Sequence, residues 1–438
     1  MADKDARGRE PRLPASVTSF RLNLVALGAL LGSLYFLRQR HLSSMDDMLL
    51  LLASVSVPVI LLDVLVLRVH RRASAGLEWD KPNPPAIARV ATKILGLLLT
   101  LALIALAYWV FPEYHGSFYE ALYAALRRFW LSLTIVAVTY LWFVDGLMRE
   151  PRDAYWQLGR VVLGHPCDAR KGEVANHFRG WLVKAYFFPL MFVWLHNSVH
   201  ELIHFDLTTA TWSNLRVYDF LYTLVFGVDL LFTTAGYALS MKVIDTHIRS
   251  AEPTMLGWAV ALFCYQPFFS LMDRQYVAYG GGAAFGPWLS NWPTVRSVWA
   301  VTILALLSMY SLATVAFGVR FSNLTHRGIL TGGPYRFSKH PAYITKNLSW
   351  WLISVPFVHA PPGEAVRHSL LLGCINTIYF LRARTEERHL SRDPDYVAYA
   401  IWMNEHGLLR FVGRWIPLLR YKPPARQPLP AAVPTTVA

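Results

Sequence analysis

Cysteine is nearly absent. The 438 residues contain 3, Cys167, Cys264 and Cys374, too scattered for a CxxC pair or a zinc-ligand spacing, so no disulfide framework follows. Charge is also scarce, at 16% of residues against 54% hydrophobic, whereas an average soluble domain carries about 25% charged residues. The first twenty residues are polar and lack the short apolar core and small-residue cleavage site of a signal peptide, so the first apolar run serves as an uncleaved targeting signal. Gly280-Gly281-Gly282 with Gly286 has no strand–helix context and is a loop, not a nucleotide fingerprint. No internal repeat supports the inverted halves of a transporter.

What the chain does have is apolar runs, most of them roughly 17 to 25 residues long and sufficient to cross a bilayer as helices. They predict an all-α, polytopic transmembrane bundle of about ten spans, near 19–37, 48–68, 90–111, 127–147, 180–198, 217–241, 255–272, 297–319, 344–359 and 366–382. The connections 69–89, 148–179 and 320–343 are basic, while 112–126 and 199–216 are acidic or nearly uncharged. This alternation places both termini in the cytoplasm. Arg38 and Arg40 break it, because this count puts them outside. The surplus of 42 Lys and Arg over 28 Asp and Glu thus reads as loop bias. With no recognition motif beside it, nucleic acid is not an expected partner.

The spans divide the chain into a disordered basic N-terminus (1–18), an N-terminal transmembrane region (19–296), a C-terminal membrane core (297–422) and a disordered tail (423–438). Trp402, Leu408, Phe411, Trp415 and Tyr421, mixed with basic residues, suit helices lying on an anionic lipid surface.

Two polar clusters flank the last pair of spans. The first is Gly332-Gly333-Pro334-Tyr335-Arg336-Phe337-Ser338-Lys339-His340-Pro341-Ala342-Tyr343, and the second is Arg382-Ala383-Arg384-Thr385-Glu386-Glu387. The Pro- and Gly-rich turn 359–363 returns the chain to the side it came from, which predicts that His340 and Glu387 meet. Gly332 and Gly333 allow positive φ and a tight turn. Pro341 after His340 predicts a helix start whose free N–H groups favour an anion. The bland alternative is that Arg382 and Glu386 form only a local i,i+4 pair and that His340 faces water.

The combination Gly-Pro-Tyr-Arg-(x)3-His-Pro-x-Tyr, a span pair and Arg-(x)3-Glu-Glu-(x)2-Leu, followed by Tyr396 and Tyr399, resembles the integral-membrane methyltransferases. These comprise the isoprenylcysteine carboxyl methyltransferases and the related phospholipid N-methyltransferases, and the resemblance covers about 297–412. It implies S-adenosylmethionine held at the cytoplasmic face by Tyr335, His340, Pro341, Tyr343, Glu386 and Glu387. It also implies a lipophilic or lipidated acceptor entering from the bilayer, with Arg382 beside it and Glu386 or His340 as base if the acceptor is an amine. Where the family usually has a small residue this chain has Thr345, followed by Lys346. Lys346, Asn347 and Trp350, with Asp229 from mid-span six, are the expected acceptor-side residues. Membrane lipids are the other expected partners.

A sterol-type NADPH reductase resembles the same C-terminal helices, but it carries Asp-Glu followed by Cys and Lys-Tyr-Gly. Here Glu386-Glu387 is followed by Arg388-His389-Leu390. A transporter or scaffold would centre instead on Asp229 and on His196, His200 and His204. Those histidines recur at four-residue spacing, but the outer two are about 12 Å apart along a helix, too far to share one ion easily. No metal is expected. Asp63, Asp145 and Lys184 lie near span ends, where they can reach water.

Overall fold

The computed structural model describes residues 13–40, 43–167, 172–271, 276–279, 283–416 and 419–423. Most of the expected disordered ends, and Gly280-Gly281-Gly282, lie outside these. Residues 13–18, expected to be disordered, instead run along the 328–331 segment. The Val17 N–H donates to the Ile329 carbonyl at 2.9 Å, and Thr331 Oγ1 donates to the Pro14 carbonyl at 2.9 Å.

The protein is an all-α bundle. In chain order the helices are α1 (Phe20–Gln39), α2 (Ser44–Leu65), α3 (Ile87–Val110), α4 (Glu120–Asp145), α5 (Ala154–Val162), α6 (Glu173–His204) and α7 (Arg216–Ala238). Next come α8 (Met255–Leu262), α9 (Phe268–Leu271), α10 (Phe285–Trp288), α11 (Pro293–Val315), α12 (Pro341–Ser354), α13 (Pro362–Leu390), α14 (Pro394–His406) and α15 (Val412–Trp415). The sheet among the described residues is a minimal antiparallel pair, β1 (Ser250–Ala251) with β2 (Thr325–His326).

Among the described residues, α1, α2, α3, α4 (with the short turn before it), α7 and α11 are long and apolar enough to cross a membrane. On α4 the side chains of Leu133, Ile135 and Val136 are more than half exposed. Such an apolar belt is costly in water and fits lipid. The remaining expected spans differ in form. Helix α6 has 32 residues, enough for a crossing, but its ends carry polar and charged groups. The expected span 255–272 is broken into α8 and α9, with Pro267, which has no N–H to donate, at the break. The expected span 344–359 is the 14-residue α12, about 21 Å long and less than a bilayer core. It stops where Val355 turns left-handed ahead of Pro356.

The main core joins α1, α2, α6 and α7 through Leu30, Leu51, Phe187, Leu190 and Phe232. Helix α11 packs against α7 and α12 and so ties the C-terminal hairpin to that core. Two buried aspartates of the bundle are paired with cations. Asp145 accepts from Arg89 at 2.6 Å and meets Lys93 at 3.0 Å. Asp63 holds Arg320 and accepts from Thr18 Oγ1 at 3.1 Å. Arg38, the exception to the loop-charge pattern, is used structurally. It donates to the Leu202 and Phe205 carbonyls at the C-terminal end of α6, where a cation is favoured.

Asp63→Ala would leave the Arg320 guanidinium buried without its counter-charge, at a cost of about 3–5 kcal/mol. A clear fall in the detergent unfolding temperature is expected, larger than that for Asp80→Ala, whose partner Arg71 is exposed. Equal effects would contradict the assignment.

Candidate active site

The site is built by an asymmetric hairpin. Helix α12 begins at Pro341 with His340 as its cap residue, as the sequence predicts. After the 359–361 turn, the 29-residue α13 runs about 43 Å and overshoots α12. Arg382 and Glu386 lie beside the first turn of α12, Glu387 reaches the 332–340 loop at His340, and the last turn of α13 passes the start of α12. In that loop Gly333 takes φ +60°, and a Cβ there would sit 2.6 Å from the Phe20 ring. Gly332, for which positive φ was also expected, has φ −104°, a conformation open to any residue. The loop is clamped from behind by α14, where Tyr399 Oη donates to the Tyr335 carbonyl at 2.6 Å.

His340 and Glu387 do meet, with Nε2 3.2 Å from Oε1. The same carboxylate pairs with Lys339 at 2.5 Å and accepts from Arg384 at 2.7 Å. Burial alone would raise the Glu387 carboxyl, but the hydrogen bond and charge of His340 and the charge of Lys339 hold it down at about 2. Glu387 therefore stays ionised and knots loop to helix. Glu386, one residue earlier, turns the other way. Its Oε2 accepts from Tyr343 Oη at 2.8 Å, and the Tyr343 ring stacks on His340 with 5.5 Å between centroids.

These side chains front a cavity with about 950 Å³ of atom-free space, open solvent at its mouth included. Tyr335, Lys339, His340, Tyr343, Lys346, Arg382 and Glu386 line it. Arg382 sits among the rings of Tyr265, Tyr343 and Tyr379, 5.2 to 5.8 Å from their centroids, and donates to Asn323 Oδ1 at 2.6 Å. Lys346 lies over Tyr310 at 4.8 Å and Trp350 at 5.6 Å. Neither cation forms an ion pair with a carboxylate among the described residues.

A second, more apolar cavity shares His340 and Tyr343 as a wall and opens between α12, α13 and the segment after α14; it holds about 1290 Å³ of atom-free space with the open solvent at its mouth included. Ile344, Leu348, Trp351, Phe380 and Met403 line it, with Asn347 and Glu387.

The expected site residues thus gather around one wall, though not all face one space. Pro341 starts α12 and does not line the first cavity. Asn347 faces the second, where it accepts from Asn376 at 2.6 Å. Trp350 packs on Tyr379 at 5.3 Å. Asp229 does not line the first cavity; it accepts from Tyr310 at 2.8 Å and from Thr314, both of which do. Sequence reasoning missed Tyr265, Tyr310, Asn323 and Tyr379. Only Tyr379, one helical turn from Arg382 and two from Glu386, left a signal. His196, His200 and His204 lie away from both cavities, and no group of three or more His, Cys, Asp or Glu among the described residues could hold a metal ion.

Residues 295–392 match the family model described as the isoprenylcysteine carboxyl methyltransferase family. The match takes in α11 to α13, under a quarter of the chain. No curated protein and no solved structure matches the chain.

The depressed Glu387 carboxyl stabilises the folded state fully above its unfolded value near 4.5, and that contribution fades as pH falls toward 2. Glu387→Gln is therefore expected to unfold at lower temperature than wild type at pH 7, by up to on the order of 3 kcal/mol. The gap should shrink below pH 4.5 and close only as pH falls through about 2. Thermal scans at three pH values check this; a gap independent of pH would contradict it.

Proposed function

Taking α11 to α13 as a segment of the isoprenylcysteine carboxyl methyltransferase family, we propose that the chain is an integral-membrane methyltransferase. It uses S-adenosylmethionine to methylate the carboxylate of a lipophilic acceptor at the cytoplasmic face. The observation that carries the carboxylate is the pair Lys346 and Arg382, two cations lining one cavity, neither in ion-pair contact with a carboxylate among the described residues, although the charge of Asp229 reaches Lys346. A charge held in such a place is costly unless something neutralises it.

The lining also fits the cofactor. Glu386 keeps one oxygen free of the Tyr343 bond, suited to an ammonium or to ribose hydroxyls. Tyr265, Tyr343 and Tyr379 offer π-faces to a cationic or planar group. When bound, S-adenosylmethionine supplies an electrophilic methyl group.

The chain's own residues do the rest. Lys346 and Arg382 orient the acceptor carboxylate, which is already ionised and needs no base. The rings exclude water, so charges opposite in sign meet without a hydration shell. Glu387, bound three ways, acts as a positioning residue that keeps His340 and the loop against α13. The second cavity, apolar and contiguous with the same wall, accommodates a hydrocarbon tail. The basic 320–343 connection supports the cytoplasmic placement.

The test is methyl transfer to a prenylated N-acetylcysteine and, separately, to phosphatidylethanolamine, with wild type and Lys346→Gln. The reading expects transfer to the carboxylate and at least a tenfold rise in its KM in the variant, about 1.4 kcal/mol. Transfer to the amine alone, unaffected by Lys346→Gln, would overturn it in favour of a headgroup methyltransferase with Glu386 as base.

A further inference from the structure

The N-terminal region holds a larger cavity, about 1910 Å³ of atom-free space with open solvent at its mouth included. It lies between the end of α4, the 148–153 segment, α5, the first half of α6 and the 240–249 segment. Loop charge places these segments on the same face as the 320–343 connection. Nothing in the methyl-transfer reading uses this space, and the inference below does not rest on that reading.

Its charges do not balance internally. Lys93 is occupied by Asp145 at 3.0 Å and Asp153 at 3.6 Å. Arg249 meets Asp245 through Nη2 at 3.2 Å, but its Nε is buried with no acceptor. His247 Nδ1 is likewise buried with no hydrogen bond, 4.0 Å from Asp245. Lys184 lies over the Trp181 ring at 4.7 Å. Neither Lys184 nor Lys242 has a carboxylate within ion-pair distance among the described residues. Glu150 and Glu173 line the cavity but are solvent-exposed. Burial, with the charges of Lys242, Arg249, Arg327 and Lys184, holds His247 down to about 3. At neutral pH it adds no charge.

We propose that this cavity binds the phosphoryl group of an anionic ligand, with Lys184, Lys242 and Arg249 as donors. All three side chains line it. A group that is multiply anionic and only accepts hydrogen bonds complements two lysines and an unsatisfied guanidinium N–H on one cavity wall. The space far exceeds one phosphate, and Leu141, Val144, Trp181 and Ile248 line the remainder. The ligand therefore carries an apolar or aromatic body, whether it is a lipid headgroup or a soluble phosphate ester.

The experiment uses the full chain in nanodiscs and titrates two probes. One is inorganic pyrophosphate with phosphatidylcholine discs. The other is phosphatidic acid, added to the discs at a tenth of the lipid and read by native mass spectrometry. The variants are Lys184→Gln/Lys242→Gln and Lys184→Arg/Lys242→Arg, with circular dichroism and gel filtration as fold controls. The Gln pair is expected to weaken retention at least tenfold, and the Arg pair to stay within threefold of wild type. Saturable pyrophosphate binding with that pattern supports the site for a soluble ester, and retained phosphatidic acid with that pattern supports it for a lipid. If the Gln pair does not fold, Arg249→Gln serves in its place, with the same expected loss. Binding of neither probe to folded wild type, or equal binding by wild type and variants, would overturn the proposal.

Discussion

Everything at the candidate active site depends on one buried carboxylate. Glu387 is the point at which the 332–340 loop and the end of α13 are joined, by Lys339 and His340 from one side and Arg384 from its own helix. A buried carboxylate with several cationic donors stays charged and fixes their positions; the same carboxylate with none would take up a proton and let go. Because Glu387 is fully engaged, its neighbour Glu386 is free to face the cavity. Two adjacent acids thus do different work, one holding the wall and one lining it.

The wall would not exist without the unequal hairpin. A 14-residue α12 against a 29-residue α13 leaves the last turns of α13 unmatched by their partner, and the loop, β2 and α14 fill that gap. The 239–254 segment closes the far side. Ser250 Oγ contacts His389 Nε2 at 2.9 Å, and Glu252 lines the first cavity while Arg249 lines the N-terminal one. The N-terminal helices are therefore structurally continuous with the site and not a separate appendage.

The helical class, the His340–Glu387 meeting and the start of α12 at Pro341 were legible because each follows from local rules. Apolar run length sets the class, a Pro/Gly turn reverses the chain, and proline fixes a helix start. The expected span 255–272 failed because average hydropathy passes over a break that one proline makes. The 344–359 span failed for a similar reason, since Pro356 ends α12 early. The aromatic nest around Arg382 draws Tyr265 from beside the α8–α9 break and Asn323 from the loop after α11. No spacing rule brings such distant residues together. Asp229, an expected acceptor-side residue, is held behind Tyr310 and Thr314. The expected role for Lys346 depends on a cavity that only tertiary packing creates.

The most direct measurement of the central claim is calorimetry of the detergent-purified wild-type chain with S-adenosylhomocysteine and, in parallel, with NADPH. The account predicts saturable binding of S-adenosylhomocysteine at one site per chain and none of NADPH. Binding of NADPH alone, or of neither ligand by folded protein, would contradict it.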